Sequence, residues 1–223
     1  MLRTYLPRTI HHLFIIGILV SYLAHSYYFF IFLIFLYVFV FYLFRKHQKF
    51  SAKNPTGGNE GLVFSPCNGN VEAIRTGVNH ALFGENLLEV KLEIPLFEEM
   101  GIYLPQSVDV QEFVIKKAKK FFQMSLLQDL SQISQKKEIL EGVLLTLKNT
   151  SGEKIGLQIL NSFFSFWPEV YVMPGDKGRR NANIGYAPFG GHIFLYLPAQ
   201  YNAQVRVGDR VNAFESILAT TIK

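Results

Sequence analysis

The sequence predicts a mostly β domain, sandwich-like or barrel-like, that follows an N-terminal α-helical hairpin in a membrane. Two observations predict this architecture. Leu13 to Phe44 is a run of 32 residues without Asp, Glu, Lys or Arg, and later short apolar runs are separated by Gly, Pro and Asn turns. A chain of 223 residues has room for one domain and an anchor. We therefore divide it into the hairpin with its basic flanks (1–53), a linker (54–60) and a β-rich domain (61–223).

The apolar run is too long for one upright spanning helix, which needs roughly 20 apolar residues. The polar pair His25–Ser26 divides the run into two parts. We therefore expect two helices joined by a turn at Ala24–Tyr28, with a single strongly tilted helix as the alternative. The run exceeds the apolar region of a cleaved signal peptide and lacks a small-residue cleavage site at its end.

The positive charge of the chain surrounds this apolar run. Residues 1–53 contain six basic and no acidic residues, whereas residues 54–223 contain 16 basic and 17 acidic ones, which gives +6 and −1. A nucleic-acid-binding protein carries its cations on the folded domain, so we expect no nucleic acid partner. By the positive-inside rule, a hairpin with basic residues on both flanks has both termini in the cytoplasm. We expect the membrane to be a bacterial inner membrane. Arg45 and Lys46 are candidate contacts for anionic lipid headgroups.

The rest of the chain contains strand-like runs separated by turn signals, and two of these runs, Leu87–Ile94 and Val108–Ile115, alternate between apolar and polar residues. One stretch, 122–140, instead has the i, i+3, i+4 apolar spacing of a helix. The dense basic run Lys116–Lys120 fits a solvated turn, and a second membrane contact is the alternative reading. The predicted strands are Leu62–Phe64, Val71–Ile74, Leu87–Ile94, Val108–Ile115, Gly142–Leu147, Ile155–Leu160, Val170–Val172 and His192–Leu197.

Ordered segments along nearly the whole chain resemble motifs of the phosphatidylserine decarboxylase family. The family patterns are S-P-x-D-G, P-F-D-V-H-x-N-R-x-P, Y-V-x-x-G-D-x-V, G-x-I-x-F-G-S-x-x-x-x-Y-L-P and V-G-D-x-V-x-A-G-E-x-x-L-A, with an anchor that ends in F-F-R. The matching segments here are Ser65–Gly69, Pro95–Pro105, Tyr171–Lys177, Gly185–Pro198, Val207–Ala219 and Leu43–Arg45.

The resemblance implies a decarboxylase-like β domain and an enzyme that makes its own pyruvoyl cofactor. In that family the chain is cleaved before a Ser, which becomes the pyruvoyl group, and an Asp–His–Ser set performs the cleavage. The pyruvoyl carbonyl then forms a Schiff base with the amine of phosphatidylserine. In this chain the Asp position is Asn68, the His position is Met100 and the Ser position is Gly191.

Each departure removes a step of the self-cleavage chemistry. Gly191 has no β-carbon, so it supplies neither the nucleophilic hydroxyl nor the leaving oxygen. Asn68 is uncharged and cannot stabilise an imidazolium as an aspartate does. The thioether of Met100 cannot carry a proton at neutral pH. We therefore expect no catalytic residues at these three degenerate positions, no pyruvoyl group and an uncleaved chain. We also expect Met100 to be buried and to fill the old cleft, by which we mean the active-site cleft that the resemblance implies.

Other candidates in the domain are weaker. His192 directly follows Gly191, which with Gly190 forms the altered junction where the family's chain is cleaved. We consider His192 and Gly190 candidate ligand or headgroup contacts. Gly190–Gly191 reads as a turn before a strand, and a nest of N–H groups for a polar headgroup is the alternative. Cys67 fits a buried apolar role rather than a nucleophile. His80 lies in a turn-like stretch without a metal or catalytic pattern. The sequence contains no HExxH, GxSxG or P-loop motif, and we expect no metal site.

These observations favour a membrane-anchored, non-catalytic relative of phosphatidylserine decarboxylase. Membrane phospholipids are the expected partners, and a protein partner or a second copy of the chain stays open. Two other functions remain as alternatives. One is an active phosphatidylserine decarboxylase that serves phosphatidylethanolamine synthesis with unmatched residues. The other is new chemistry at the old cleft that uses His192 or Cys67.

Overall fold

A helical hairpin precedes a mostly β domain in the computed structural model of the chain. The structure describes residues 3–4, 8–43, 45–46, 61–96, 98–116, 142–160 and 167–221. The predicted linker at 54–60, the predicted helix at 122–140 and most of the basic run at 116–120 lie outside the described residues. The same holds for the side chains of Arg45 and Lys46, whose backbone alone is described.

Helix α1 spans Arg8–Leu23 and helix α2 spans Tyr27–Leu43. His25 has a positive φ of 55° and ends α1. The N–H of Ser26 donates to the carbonyl of Ser21 over 3.1 Å, and the N–H of His25 donates to that of Tyr22 over 3.1 Å. These two hydrogen bonds form a Schellman motif, which caps the last carbonyls of a helix. The predicted turn within Ala24–Tyr28 is confirmed.

The two ends of the helical hairpin are joined by a short ribbon. Strand β1 (Arg3–Thr4) pairs antiparallel with strand β2 (Arg45–Lys46). No helix in the part of the chain that the structure describes is both long and apolar enough to cross a membrane. The helical hairpin is therefore present, whereas its predicted placement across a membrane is not supported.

The described residues of the β domain form an eight-stranded antiparallel sheet and two three-stranded antiparallel sheets. The strands are β3 Leu62–Phe64, β4 Gly69–His80, β5 Gly84–Ile94, β6 Gly101–Tyr103, β7 Val108–Lys116, β8 Gly142–Asn149, β9 Lys154–Ile159, β10 Glu169–Val170, β11 Lys177–Gly178, β12 Asn183–Tyr186, β13 Gly191–Leu197, β14 Tyr201–Ala203, β15 Arg210–Val211 and β16 Ile217–Thr221. The large sheet has the strand order β11-β7-β8-β9-β13-β5-β4-β15, and the small sheets have the orders β10-β12-β6 and β14-β16-β3.

The main core lies between the large sheet and the two small sheets. Alternation along β5 sends Leu88, Val90, Leu92 and Ile94 into this core, where they meet apolar residues of all three sheets. Side chains of successive residues in a strand point to opposite faces, so β5 presents its intervening residues on the other face of the large sheet. The mostly β fold class is confirmed, and the core fixes the strands that carry the candidate site.

Candidate functional site

The register of the large sheet brings two of the degenerate positions to one edge. Glu93 of β5 pairs with His192 of β13 on one side and with Asn70 of β4 on the other. Gly191 directly precedes His192, and Asn68 lies two residues before Asn70. The strand pairing therefore places the segments that contain Gly191 and Asn68 close together, although they are distant in sequence.

Met100 lies between these segments and is completely buried. The backbone N–H of Phe189 donates a hydrogen bond to the Met100 sulfur over 3.1 Å. The backbone N–H of Ala187 donates to the Met100 carbonyl over 2.8 Å. A methionine side chain adapts well to irregular gaps. The thioether thus fills the space beside the loop that leads to Gly191, and the expected burial of Met100 is confirmed.

The side-chain amide of Asn68 connects two loops. Its Nδ2 group donates to Oε2 of Glu99 over 2.9 Å, and its Oδ1 accepts the backbone N–H of Ala213 over 2.8 Å. The amide therefore uses both its donor and its acceptor function in this half-buried position. Such a cross-link holds the loop before β4 against the C-terminal part of the domain.

Glu99 is a buried carboxylate that the sequence analysis did not select. Its side chain is almost fully buried, and it accepts hydrogen bonds from Asn68 and from the hydroxyl of Tyr103. The old site therefore contains a carboxylate next to Met100, even though the Asp position of the motif is Asn68. In the sequence, only the position of Glu99 next to Met100 indicates that this carboxylate belongs to the site. The loop between β5 and β6 has no periodic pattern from which the direction of its side chains could be predicted.

The residues around the altered junction form a tight left-handed turn. Phe189, Gly190 and Gly191 have positive φ values of 61°, 80° and 143°. A Cβ atom on Gly190 would lie 2.2 Å from the carbonyl oxygen of Ile94, so only glycine fits there. The N–H of Gly190 donates to the carbonyl of Ala187 over 3.2 Å. Since the N–H groups of Phe189 and Gly190 both donate within the chain, this geometry favours the turn reading over a nest that receives a headgroup.

His192 takes part in a separate polar cluster. Its Nε2 lies 3.1 Å from Oε2 of Glu72, and Lys91 donates from Nζ to Oε1 of the same carboxylate over 2.7 Å. Burial and the nearby Lys91 charge lower the pKa of His192, and the Glu72 and Glu93 carboxylates offset part of that effect. A histidine with a lowered pKa is neutral at neutral pH. His192 therefore joins three neighbouring strands as a neutral, half-buried hydrogen-bonding group.

The structure gives Cys67 and His80 packing roles. Cys67 is completely buried, and burial raises the pKa of its thiol to about 12. The reactive thiolate is therefore negligible at neutral pH, which opposes the Cys67 nucleophile. The His80 ring stacks on Phe83 with 4.3 Å between ring centroids. Within the described ranges, no group of three or more His, Cys, Asp or Glu side chains could hold a metal ion.

This geometry defines a class of protein: a mostly β domain with a glycine turn at the junction and a methionine-filled site beside it. No family model matches the chain, and no solved structure matches it. Several curated relatives match the chain. A phosphatidylserine decarboxylase proenzyme of Desulfotalea psychrophila is 25% identical over 181 residues, which are 81% of this chain and 78% of that protein.

Two further relatives match a shorter part of the chain. The phosphatidylserine decarboxylase proenzymes of Neisseria meningitidis and Aromatoleum aromaticum are 39% and 41% identical over 49 residues. These residues are 22% of this chain and 18% and 23% of the two relatives. Together with the relative that spans most of the chain, these matches show that the chain is similar to phosphatidylserine decarboxylase proenzymes.

Proposed function

We propose that the chain is a non-catalytic, membrane-anchored relative of phosphatidylserine decarboxylase that associates with phospholipid. The observation that carries the non-catalytic part is Gly191 at the junction. Self-cleavage requires a β-hydroxyl that attacks the preceding carbonyl and is then eliminated, and glycine has no β-carbon. The pyruvoyl group that defines the family therefore does not fit this chain, which stays in one piece.

The surroundings of the junction support the same proposal. Met100 offers a sulfur that accepts the Phe189 N–H, where proton transfer would need an imidazole. Asn68 holds the buried carboxylate of Glu99 in a structural cross-link. The buried groups at the old site thus bind one another and hold the loops together.

The catalytic part of the proposal is tested by two measurements on the purified full chain. Intact mass spectrometry should show one uncleaved polypeptide. Incubation with phosphatidylserine should release no more CO₂ than a heat-denatured sample of the same protein. Two fragments split before Gly191 would refute the uncleaved chain, and CO₂ release above that of the denatured sample would establish an active decarboxylase instead.

The membrane part of the proposal rests on the surface of the helical hairpin. Large apolar side chains are widely exposed on both helices; Leu13 is 67% exposed, Tyr28 93% and Phe35 72%. Monomeric soluble proteins rarely expose an apolar surface of this kind. The β1–β2 pairing holds both ends of the hairpin together, next to basic residues that attract anionic lipids. We therefore place the hairpin in the membrane from one side, with both ends at the cytoplasmic face of a bacterial inner membrane.

A vesicle flotation experiment tests the anchor. The wild-type chain should float with phospholipid vesicles, and the double variant Leu13→Glu/Phe35→Glu should lose most of this binding because buried charge is costly in lipid. Ile115→Glu, which changes an apolar residue of the β domain that is 51% exposed, is the matched control and should float like the wild type. Equal flotation of the double variant would refute the hairpin as the anchor.

A further inference from the structure

A second exposed apolar feature lies in the β domain, in the segment Tyr171–Arg180 between β10 and β12. The side chain of Met173 is 71% exposed and that of Tyr171 is 51% exposed. The neighbouring Pro174 is also exposed. These residues belong to the β domain and are not part of the helical hairpin.

Backbone hydrogen bonds hold this segment in place. The N–H of Met173 donates to Oδ2 of Asp176 over 2.8 Å, and the N–H of Asp176 donates to the carbonyl of Met173 over 3.1 Å. The N–H of Gly175 donates to the carbonyl of Val110 over 2.8 Å, and the N–H of Tyr171 donates to that of Ile184 over 2.8 Å. Met173 is therefore presented to solvent by a hydrogen-bonded turn.

The charge of the segment is positive. Tyr171–Arg180 contains three basic residues, Lys177, Arg179 and Arg180, and one acidic residue, Asp176, which gives +2. The carboxylate of Asp176 is already used in the turn. Lys177 is 83% exposed, and its distance of 4.0 Å to the half-exposed Asp109 makes a weak ion pair. Exposed cations thus lie within a few residues of exposed apolar side chains.

We propose that the Tyr171–Arg180 segment is a second membrane contact, which binds an anionic phospholipid surface. Met173 and Tyr171 enter the boundary between headgroups and acyl chains, and Lys177 and Arg179 bind lipid phosphates. The combination of apolar tip and nearby cations favours a lipid surface over an acidic protein, which would satisfy the charges alone. The proposal rests on the proposed membrane association and adds an orientation: the two contacts hold the β domain against the bilayer.

A single-cysteine probe tests this contact in the full chain. Met173→Cys is labelled with an environment-sensitive fluorophore, and Cys67 does not interfere because it is completely buried. Ser151→Cys, in the exposed polar turn between β8 and β9, is the matched control site. On vesicles that contain phosphatidylglycerol, the probe at 173 should shift to shorter wavelength and be quenched by nitroxide lipids several-fold more than the probe at 151.

The other outcomes distinguish the second contact from the hairpin anchor. If the chain floats with vesicles but both probes stay in water, the second contact is refuted and the hairpin anchor stands. If the full chain does not bind vesicles at all, both proposals fail. On phosphatidylcholine vesicles, or with Lys177→Glu/Arg179→Glu, flotation should persist while the shift at 173 is lost. An unchanged shift under those conditions would refute the anionic lipid as the ligand.

Discussion

The backbone N–H of Phe189 donates a hydrogen bond to the sulfur of Met100 over 3.1 Å. This contact ties the turn before Gly191 to a residue that is completely buried. At the position where the resemblance implies a proton-carrying histidine, this chain therefore has a buried packing and hydrogen-bonding group. The contact makes the stability of the old site depend on Met100.

Replacing Met100 by leucine tests that dependence. Met100→Leu keeps the apolar volume but removes the sulfur acceptor, so we expect a loss of about 1–3 kcal/mol of unfolding free energy. The amide of Phe189 should also exchange hydrogen faster. Urea unfolding and hydrogen exchange measure the two effects. The buried, volume-conserving control Ile102→Leu should leave the exchange of Phe189 unchanged, and equal effects of both variants would contradict a role for the sulfur.

Restoring a serine at the junction should not restore cleavage. Gly191 has a φ of 143°, which side chains with a β-carbon rarely adopt, so Gly191→Ser should destabilise the fold by about 1–3 kcal/mol. Gly84→Ser, at a φ of 120° with open space around it, is a control for backbone strain alone. Intact mass spectrometry of Gly191→Ser should show one chain. A split between residues 190 and 191 would show that the cleavage machinery survives.

Changing Asn68 to aspartate should place a second negative charge beside the carboxylate of Glu99, so that the two side chains repel each other. Asn68→Asp places two carboxylates at a contact of 2.9 Å and removes the donated hydrogen bond. We expect a loss of about 2–3 kcal/mol at neutral pH. The loss should shrink as pH falls, because one carboxyl group can then hold a proton between the two.

Urea unfolding between pH 5 and pH 8 measures this effect, with the wild type beside each point. Asn79→Asp is the matched control, since Asn79 is exposed and its side-chain oxygen accepts the N–H of Asn86 over 2.9 Å. That control should show little change in stability. A constant loss for Asn68→Asp across the pH range would mean that Glu99 does not act as a second carboxylate there.

The long strands could be predicted from the sequence because apolar residues recur on the face that packs against the main core. In β5 the apolar residues Leu88, Val90 and Leu92 alternate with polar ones, and the predicted strand is confirmed. The short strands Asn183–Tyr186 and Tyr201–Ala203 were missed. Three or four residues show no reliable period, and their pairing partners are distant in the chain.

The site was predictable only as far as single residues carry chemistry. The absence of a β-carbon at Gly191 follows from its identity, and the burial of Met100 follows from its apolar side chain. The carboxylate of Glu99 and the link from Glu72 to His192 depend on loop direction and on strand register. Neither can be read from one sequence, since pairing within a sheet is set by tertiary packing.

The two ends of the hairpin, and with them the N-terminus and the β domain, should lie on the same side of the membrane. Pairing of Arg3–Thr4 with Arg45–Lys46 holds them together. Cysteines introduced by Leu2→Cys and Lys223→Cys, each in a separate variant, should react with a membrane-impermeant maleimide only after inverted or opened vesicles expose the cytoplasmic face. Unmodified wild type is the control, because Cys67 is buried. Opposite reactivity of the two variants would disprove the hairpin arrangement.

His192 should make the fold less stable in mild acid. In the folded chain burial and Lys91 lower the pKa of His192, whereas an exposed histidine has a pKa of about 6.5. As pH falls below about 6.5, the unfolded chain binds a proton that folded His192 resists, so unfolding becomes easier. The loss is at most about 1.4 kcal/mol for each pH unit, and above that range it vanishes.

His192→Gln should therefore lose less stability than the wild type between pH 7.5 and pH 5.5 in urea unfolding. His25→Gln, in the exposed turn of the hairpin, controls for the removal of an imidazole and should follow the wild type. If His192→Gln also follows the wild type, another group causes the acid sensitivity.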